Sequence, residues 1–186
     1  YYNKPTQEGI YEHYKYISNN TSVPIIIYNV PGRTAKNILP ETVLRLAKEF
    51  DSIIGIKEAG NDINQYLELI NNKPEDFLII SGDDDLALSS VIAGGDGVIS
   101  VIGQAFPEKF SKMINYALDN DPLRATSIHE QLINITSLIF RENNPAGVKS
   151  VLHEMNLCND VLRLPLLPVS KNLRSEILVE LNNLKL

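Results

Sequence analysis

Short apolar runs alternate with amphipathic stretches over the first part of the chain, and this alternation predicts βα units. The runs are rich in β-branched residues and end at polar positions, which is typical of strands buried in a parallel sheet. These strands are Pro24–Asn29, Ile53–Lys57, Phe77–Ser81 and Gly97–Val101. Helical periodicity predicts the elements around them, which are Glu8–Asn19, Leu39–Phe50, Ile63–Asn71, Leu86–Ala93 and Phe106–Ala117. Strands and helices that alternate in this way form a parallel sheet.

The last third of the chain has a different pattern. No strand pattern follows residue 102, and the helical periodicity runs over Pro122–Phe140, Pro145–Asn156 and Ser170–Leu184. We therefore expect an α/β region over residues 1–120 and a C-terminal helical subdomain over residues 121–186.

Four parallel βα units are half of a (β/α)8 TIM barrel, which normally needs ~250 residues. The chain has 186 residues and begins with Tyr1 rather than Met. We expect it to hold the second half of such a barrel, with the first half upstream or in another chain. The alternative is an open doubly wound sheet, which is complete at this size. The half barrel is favoured because the polar residues of chemical interest come just after the strands.

Composition narrows the functional classes. The net charge is −6 and no basic run occurs, so neither nucleic-acid binding nor adhesion to an anionic membrane is expected. The single cysteine, Cys158, excludes an internal disulfide and is typical of a reducing compartment. No leader pattern and no apolar stretch of bilayer length is visible. These features predict a soluble, cytoplasmic protein.

Lys57 ends the apolar run Ile53–Lys57 with a single amine. Burying an unpaired ammonium is unfavourable, so a lysine at this position is unusual for stability alone. The carboxyl ends of barrel strands carry the active sites of such folds. Apolar surroundings favour the neutral amine, which can attack a carbonyl carbon. The pattern predicts that Lys57 is a Schiff-base nucleophile; the alternative is a lysine that extends outward into solvent.

Two residues at the end of the first strand and in the loop after it are candidate partners of this lysine. Tyr28 ends the apolar run of this strand and can exchange protons with a carbonyl oxygen or an imine. It can equally be a tyrosine at the edge of the core. Arg33 follows Pro31-Gly32 in a tight loop, where a guanidinium suits the bidentate capture of a carboxylate. A solvated loop arginine is the alternative.

The third strand ends in Ser81-Gly82 followed by three aspartates. Gly82 would let a substrate approach the backbone. The carboxylates of Asp83, Asp84 and Asp85 suggest a hard-cation site, but consecutive residues on one turn do not converge on one ion. We expect no metal site.

Five motifs in order resemble the dihydrodipicolinate synthase family, within the pyruvate-dependent Schiff-base aldolases and lyases. The similarity runs from Tyr1 into the C-terminal helices. The motifs are Tyr1-Tyr2-Asn3-x-Pro5, Tyr28-Asn29-Val30-Pro31-Gly32-Arg33-Thr34, Gly55-Ile56-Lys57-Glu58-Ala59, Ser81-Gly82-Asp83-Asp84 and Gly97-Val98-Ile99-Ser100-Val101.

The resemblance implies a role for individual residues. Lys57 would form an imine with pyruvate and Tyr28 would relay protons. Tyr2 would cross a subunit interface to complete the proton relay of a neighbouring copy. Arg33 would bind the carboxylate of the second substrate. The pocket would be lined by Ile99 and Gly82.

The resemblance also implies an activity. Pyruvate would condense with L-aspartate-4-semialdehyde to give 4-hydroxy-tetrahydrodipicolinate, a step of lysine and diaminopimelate biosynthesis. The covalent imine would replace any cofactor, and the protein would be a homodimer or homotetramer. Because the family's barrel begins upstream of Tyr1, we expect these 186 residues alone to be inactive and poorly soluble.

Three alternatives remain open. A sibling lyase such as N-acetylneuraminate lyase or a keto-deoxy sugar acid aldolase would share Lys57 and Tyr28, but Arg33 would not be expected after Pro31-Gly32. A catalytically inactive barrel could serve as a binding module. A metal-dependent hydrolase would use the three aspartates.

Overall fold

The computed structural model describes residues 2–184, so Tyr1 of the first motif lies outside the described residues. Contacts divide the chain into two compact units, with the division between Ile99 and Ser100. The sheet belongs to the first unit, and the C-terminal helices belong to the second. The domain boundary predicted after residue 120 stays a prediction.

The first unit contains the four strands and the helices that connect them. The strands are β1 (Ile25–Asn29), β2 (Ile53–Glu58), β3 (Leu78–Ser81) and β4 (Gly97–Val98). The helices are α1 (Gln7–Asn19), α2 (Pro31–Thr34), α3 (Pro40–Glu49), α4 (Ile63–Asn72) and α5 (Ala87–Ile92). Side-chain caps define two of the helix starts, because Thr6 accepts from the N–H of Gly9 and Asp62 accepts from that of Asn64.

The strands pair in parallel and in chain order, β1-β2-β3-β4. One face of the sheet is fully buried: Ile27, Ile56 and Ile79 pack in a single core with apolar residues of α1, α3 and α4. The opposite face is more open, and Ile26 on this face is 41% exposed. A doubly wound sheet has helices on both faces and reverses its strand order. Sequential order with the helices on one face is the winding of a barrel.

Two elements differ from the sequence prediction. The fourth strand is shorter than predicted because Val101 has a helical backbone conformation and leads into a 3-10 helix, Ile102–Gln104. Ile99 nevertheless donates its N–H to the carbonyl of Ser81, which continues the ladder by one bond. The short helix α2 was not predicted. Pro31 at its first position supplies a preset φ angle and lacks the N–H that a helix start leaves unpaired.

The second unit is helical and contains the predicted C-terminal helices. It contains α6 (Pro107–Leu118), α7 (Pro122–Phe140), α8 (Ala146–Glu154) and α9 (Lys171–Asn183). Helix α7 contacts each of the other three, and its residues Ile135 and Ile139 are fully buried. On the surface Arg174 of α9 pairs with Glu154 and Asp160. No helix within residues 2–184 is both long enough and apolar enough to span a bilayer.

Candidate active site at the carboxyl ends of the strands

Tyr28 and Lys57 lie side by side at the ends of the first two strands. They are register partners in the β1–β2 ladder, so their side chains leave the same face of the sheet. The Lys57 Nζ lies 4.4 Å from the centroid of the Tyr28 ring. Tyr28 is 48% exposed and Lys57 is half-buried. An amine and a phenol are thus adjacent and accessible on the open face of the sheet.

Gly82 lies against the Lys57 side chain and leaves no space for a side chain of its own. A Cβ atom at this position would lie 2.7 Å from Lys57 Cε and 3.1 Å from Lys57 Cγ. It would also lie 2.9 Å from the Cβ of Ala59. Contacts below 3.0 Å require a side chain or the backbone to shift. The absence of a side chain at Gly82 therefore makes room for the lysine stem, and its predicted role toward a substrate stays a prediction.

The remaining predicted site residues lie outside the strands. Ile99 follows β4, is 49% exposed and is tied by its N–H to the carbonyl of Ser81. Arg33 is exposed on α2, the helix that follows Tyr28 after two residues. Tyr2 precedes α1 and is 85% exposed. The structure brings Tyr28, Lys57 and Gly82 together, and the roles predicted for Ile99, Arg33 and Tyr2 stay predictions.

The sequence reasoning missed a polar cluster on the other face of the same strand ends. Asn29 and Glu58 are register partners, one residue beyond Tyr28 and Lys57, and they are 1% and 0% exposed. Burial raises the pKa of the Glu58 carboxyl above its usual range, while hydrogen bonds from Asn29 and Gln65 act in the opposite direction. Burial likewise raises the pKa of the Tyr66 hydroxyl, which donates to the Glu58 carbonyl.

A signal for this cluster was present in the sequence. Side chains alternate along a strand, so the residue after a lysine on the open face must point into the helix layer. A carboxylate there, at Glu58, requires hydrogen-bond donors. The sequence does not reveal which donors the neighbouring strand and helix provide.

Asp83, the first of the three aspartates after Gly82, has a local structural role. The Asp83 carboxylate accepts hydrogen bonds from the backbone N–H groups of Asp85 and Leu86, in the turn before α5. Within residues 2–184, no group of three or more His, Cys, Asp or Glu side chains is arranged to hold a metal ion.

The winding of the sheet and the Tyr28–Lys57 pair both indicate one kind of fold. A singly wound parallel sheet, with an amine and a phenol at adjacent strand ends, is part of a (β/α)8 barrel whose polar groups gather at the carboxyl face. The chain belongs to the dihydrodipicolinate synthetase family, whose model matches residues 1–184.

Individual relatives agree with this assignment. The 4-hydroxy-tetrahydrodipicolinate synthase of Flavobacterium psychrophilum is 51% identical over 177 residues, which are 95% of this chain and 60% of that protein. The crystal structure of the Thermotoga maritima dihydrodipicolinate synthase matches all of this chain and 64% of its own, with a TM-score of 0.96 and 39% identity. The Acinetobacter baumannii enzyme, solved in complex with pyruvate, matches all of this chain and 63% of its own, with a TM-score of 0.95 and 38% identity.

The chain therefore spans about three-fifths of the length of the curated relatives it matches. These similarities confirm the predicted fold, in which four βα units of a barrel are followed by C-terminal helices.

Proposed function

We propose that the protein containing this chain condenses pyruvate with L-aspartate-4-semialdehyde through a Schiff base on Lys57. The observation that carries the proposal is the Lys57 amine 4.4 Å from the Tyr28 ring, on adjacent strand ends of a barrel sheet. The names of the relatives support the same reaction, since they are 4-hydroxy-tetrahydrodipicolinate synthases.

In the proposed reaction the neutral Lys57 amine attacks the ketone carbon of pyruvate, and water leaves as the imine forms. The protonated imine withdraws electrons, so a methyl proton is lost and an enamine results. The enamine carbon then attacks the aldehyde carbon of the second substrate. The amino group of that substrate finally attacks the imine carbon, which releases Lys57 and closes the ring.

The other residues would assist these steps. Tyr28 would carry protons to and from the oxygen atoms and the imine, as a phenol beside the amine can. Arg33 would bind the carboxylate of the aldehyde substrate, and Ile99 and Gly82 would line the pocket. We propose a homodimer or homotetramer, in which the exposed Tyr2 would reach the site of a neighbouring copy. The imine replaces an external cofactor, and we propose a cytoplasmic location.

Reduction with borohydride in the presence of pyruvate tests the proposal. The experiment uses the protein at its full natural length, with peptide mapping by mass spectrometry. We expect one reduced pyruvate adduct on Lys57 and none in Lys57→Arg, whereas the exposed surface variant Lys48→Arg should behave like the wild type. An unmodified Lys57 in a folded protein would refute the imine. Turnover with N-acetylmannosamine instead of aspartate semialdehyde would indicate a sibling lyase.

A further inference from the structure

A buried polar cluster on the helix face of the sheet joins the strand ends that carry Tyr28 and Lys57. We call it the strand-end clamp. Its members lie on β1, β2, β3, α4 and the loop before α3. They are Asn29, Asn37, Glu58, Gln65, Tyr66 and Ser81.

Glu58 is the centre of the clamp. Both of its carboxylate oxygens accept hydrogen bonds from Asn29 Nδ2, at 3.0 and 2.8 Å. Gln65 Nε2 donates to Oε2 at 2.7 Å, and the backbone N–H of Gly60 donates to Oε1 at 2.7 Å. These donors are neutral and all point toward the carboxylate, which is the arrangement that an acceptor-only, ionised group requires.

The donors are themselves fixed by further bonds. Asn29 Oδ1 accepts from the N–H of Ile38 at 3.1 Å, and Asn29 Nδ2 also donates to Asn37 Oδ1 at 2.7 Å. Asn37 Nδ2 in turn donates to Gln65 Oε1 at 2.7 Å. Each amide therefore has its orientation set, and a rotated amide would lose a partner.

The clamp also holds the main chain of β2 and contacts a side chain of β3. The Tyr66 hydroxyl donates to the main-chain carbonyl of Glu58 and lies 3.2 Å from the Ser81 Oγ on β3. Because Asn29 belongs to β1 and Glu58 to β2, the same cluster joins three consecutive strand ends.

Burial of a carboxylate is unfavourable unless hydrogen bonds compensate for lost water, and an apolar residue would fill the same core at less cost. The position of Glu58 explains why a carboxylate occurs here. Lys57 precedes it on β2, and Tyr28 is the register partner of Lys57 on β1, so both members of the reacting pair are next to the clamp. We propose that Glu58 is a positioning residue, which fixes the ends of β1 and β2 and so keeps the Lys57 amine beside the Tyr28 phenol. This inference rests on the proposed function of Lys57.

The test variant is Glu58→Gln in the full-length protein. Glutamine has the same shape, but its NH2 group cannot accept, so at least one N–H of the clamp faces another donor. A displacement of about 1 Å at a reacting group can lower a rate up to about 100-fold. We expect the borohydride trapping rate on Lys57, at saturating pyruvate and per folded molecule, to fall between about 10- and 100-fold.

A matched control separates positioning from simple loss of stability. Ile79→Val removes one methylene from the same core, on β3, and leaves every side-chain hydrogen bond of the clamp in place, because an aliphatic side chain makes none. It should lower the melting temperature and leave the trapping rate per folded molecule unchanged. If Glu58→Gln does not fold, Gln65→Leu keeps the carboxylate, removes one donor and should lower the rate less.

A crystal structure of the folded variant gives a result independent of activity. We expect the separation of the Lys57 Nζ from the Tyr28 ring centroid to differ from 4.4 Å. An unchanged separation with wild-type trapping would overturn the positioning role. A wild-type protein that traps no pyruvate would refute the proposed function, while the separation in the variant would still decide whether the clamp positions the pair.

Discussion

The two faces of the same strand ends differ sharply in accessibility. On the open face Tyr28 is 48% exposed, and Lys57 is half-buried beside it. On the helix face Asn29 and Glu58, the next residues along each strand, are at most 1% exposed and hydrogen-bonded to one another. A parallel sheet can thus carry a reactive side chain on one face and a fixed one on the other. Alternation along the strand leaves one side chain free to react while its neighbour fixes the backbone.

On the open face, Tyr28→Phe should lower activity more than changes at Gly82 or Arg33. The variant keeps the ring next to the Lys57 amine and removes only the hydroxyl, so the fold should be preserved. Loss of a positioned general acid and base lowers rates by about 10²- to 10⁴-fold. We expect a decrease of this size in turnover of the full-length protein, measured by the steady-state condensation rate. Tyr16→Phe, at a 70% exposed tyrosine, is the control, and equal activity of the two variants would remove Tyr28 from the mechanism.

Gly82→Ala tests whether the space left by Gly82 sets the position of the Lys57 side chain. The new methyl group would press on Lys57 Cε at 2.7 Å, so the amine should move. We expect pyruvate trapping to slow by about 10- to 100-fold. Gly32→Ala is the matched control, because a Cβ there meets nothing within 4 Å. Equal trapping rates in the two variants would show that Gly82 does not set the position of Lys57.

Arg33→Ala tests whether Arg33 acts only on the second substrate and not in the formation of the imine. Arg33 stands on α2, beyond the strand end, so its removal should leave the Lys57 imine intact. A lost charge-assisted bond to a carboxylate corresponds to about 10- to 100-fold weaker binding. We expect the KM for aspartate semialdehyde to rise by this factor and the trapping rate with pyruvate to stay unchanged. Loss of trapping would place Arg33 at the first substrate or in the fold.

The smallest effect concerns the helix face and the pH dependence of stability. Burial raises the pKa of Glu58, so the folded state holds its proton at pH values where the unfolded chain has released it. The free energy of unfolding should therefore fall as the pH rises from the ordinary glutamate value of ~4.3 to the raised folded pKa. The loss is about 1.4 kcal/mol for each pH unit of that window.

Glu58→Gln isolates this contribution because glutamine does not titrate. The stability of the wild type relative to the variant, measured by denaturant unfolding at several pH values, should fall through the window and then level off. A relative stability that rises with pH would mean that hydrogen bonds outweigh burial and that the pKa of Glu58 is lowered.

Much of the fold could be predicted from the sequence because each apolar run corresponds to one strand of the sheet, and the strands pair in chain order. Apolar runs located each strand, and Lys57 and Tyr28 were found as polar residues that end such runs. The end of β4 was missed because Val101, a good strand residue, turns into a 3-10 helix. Here tertiary context overrides intrinsic preference.

The strand-end clamp could not be predicted, because it depends on register. Glu58 faces Asn29 only through the particular pairing of β1 with β2, and Gln65 reaches it only through the packing of α4. The close contact of Gly82 with Lys57 has the same origin, since it depends on how β3 lies beside β2. A sequence pattern predicts on which face of the sheet a side chain lies, but not which residues it contacts there.

A crystal structure of the full-length protein soaked with pyruvate would show directly whether Lys57 forms the imine. We expect continuous electron density from the Lys57 Nζ to the second carbon of pyruvate, with the Tyr28 hydroxyl beside the new bond and Glu58 unmoved on the other face of the sheet. Pyruvate bound without a covalent bond, or joined to a different lysine, would contradict it.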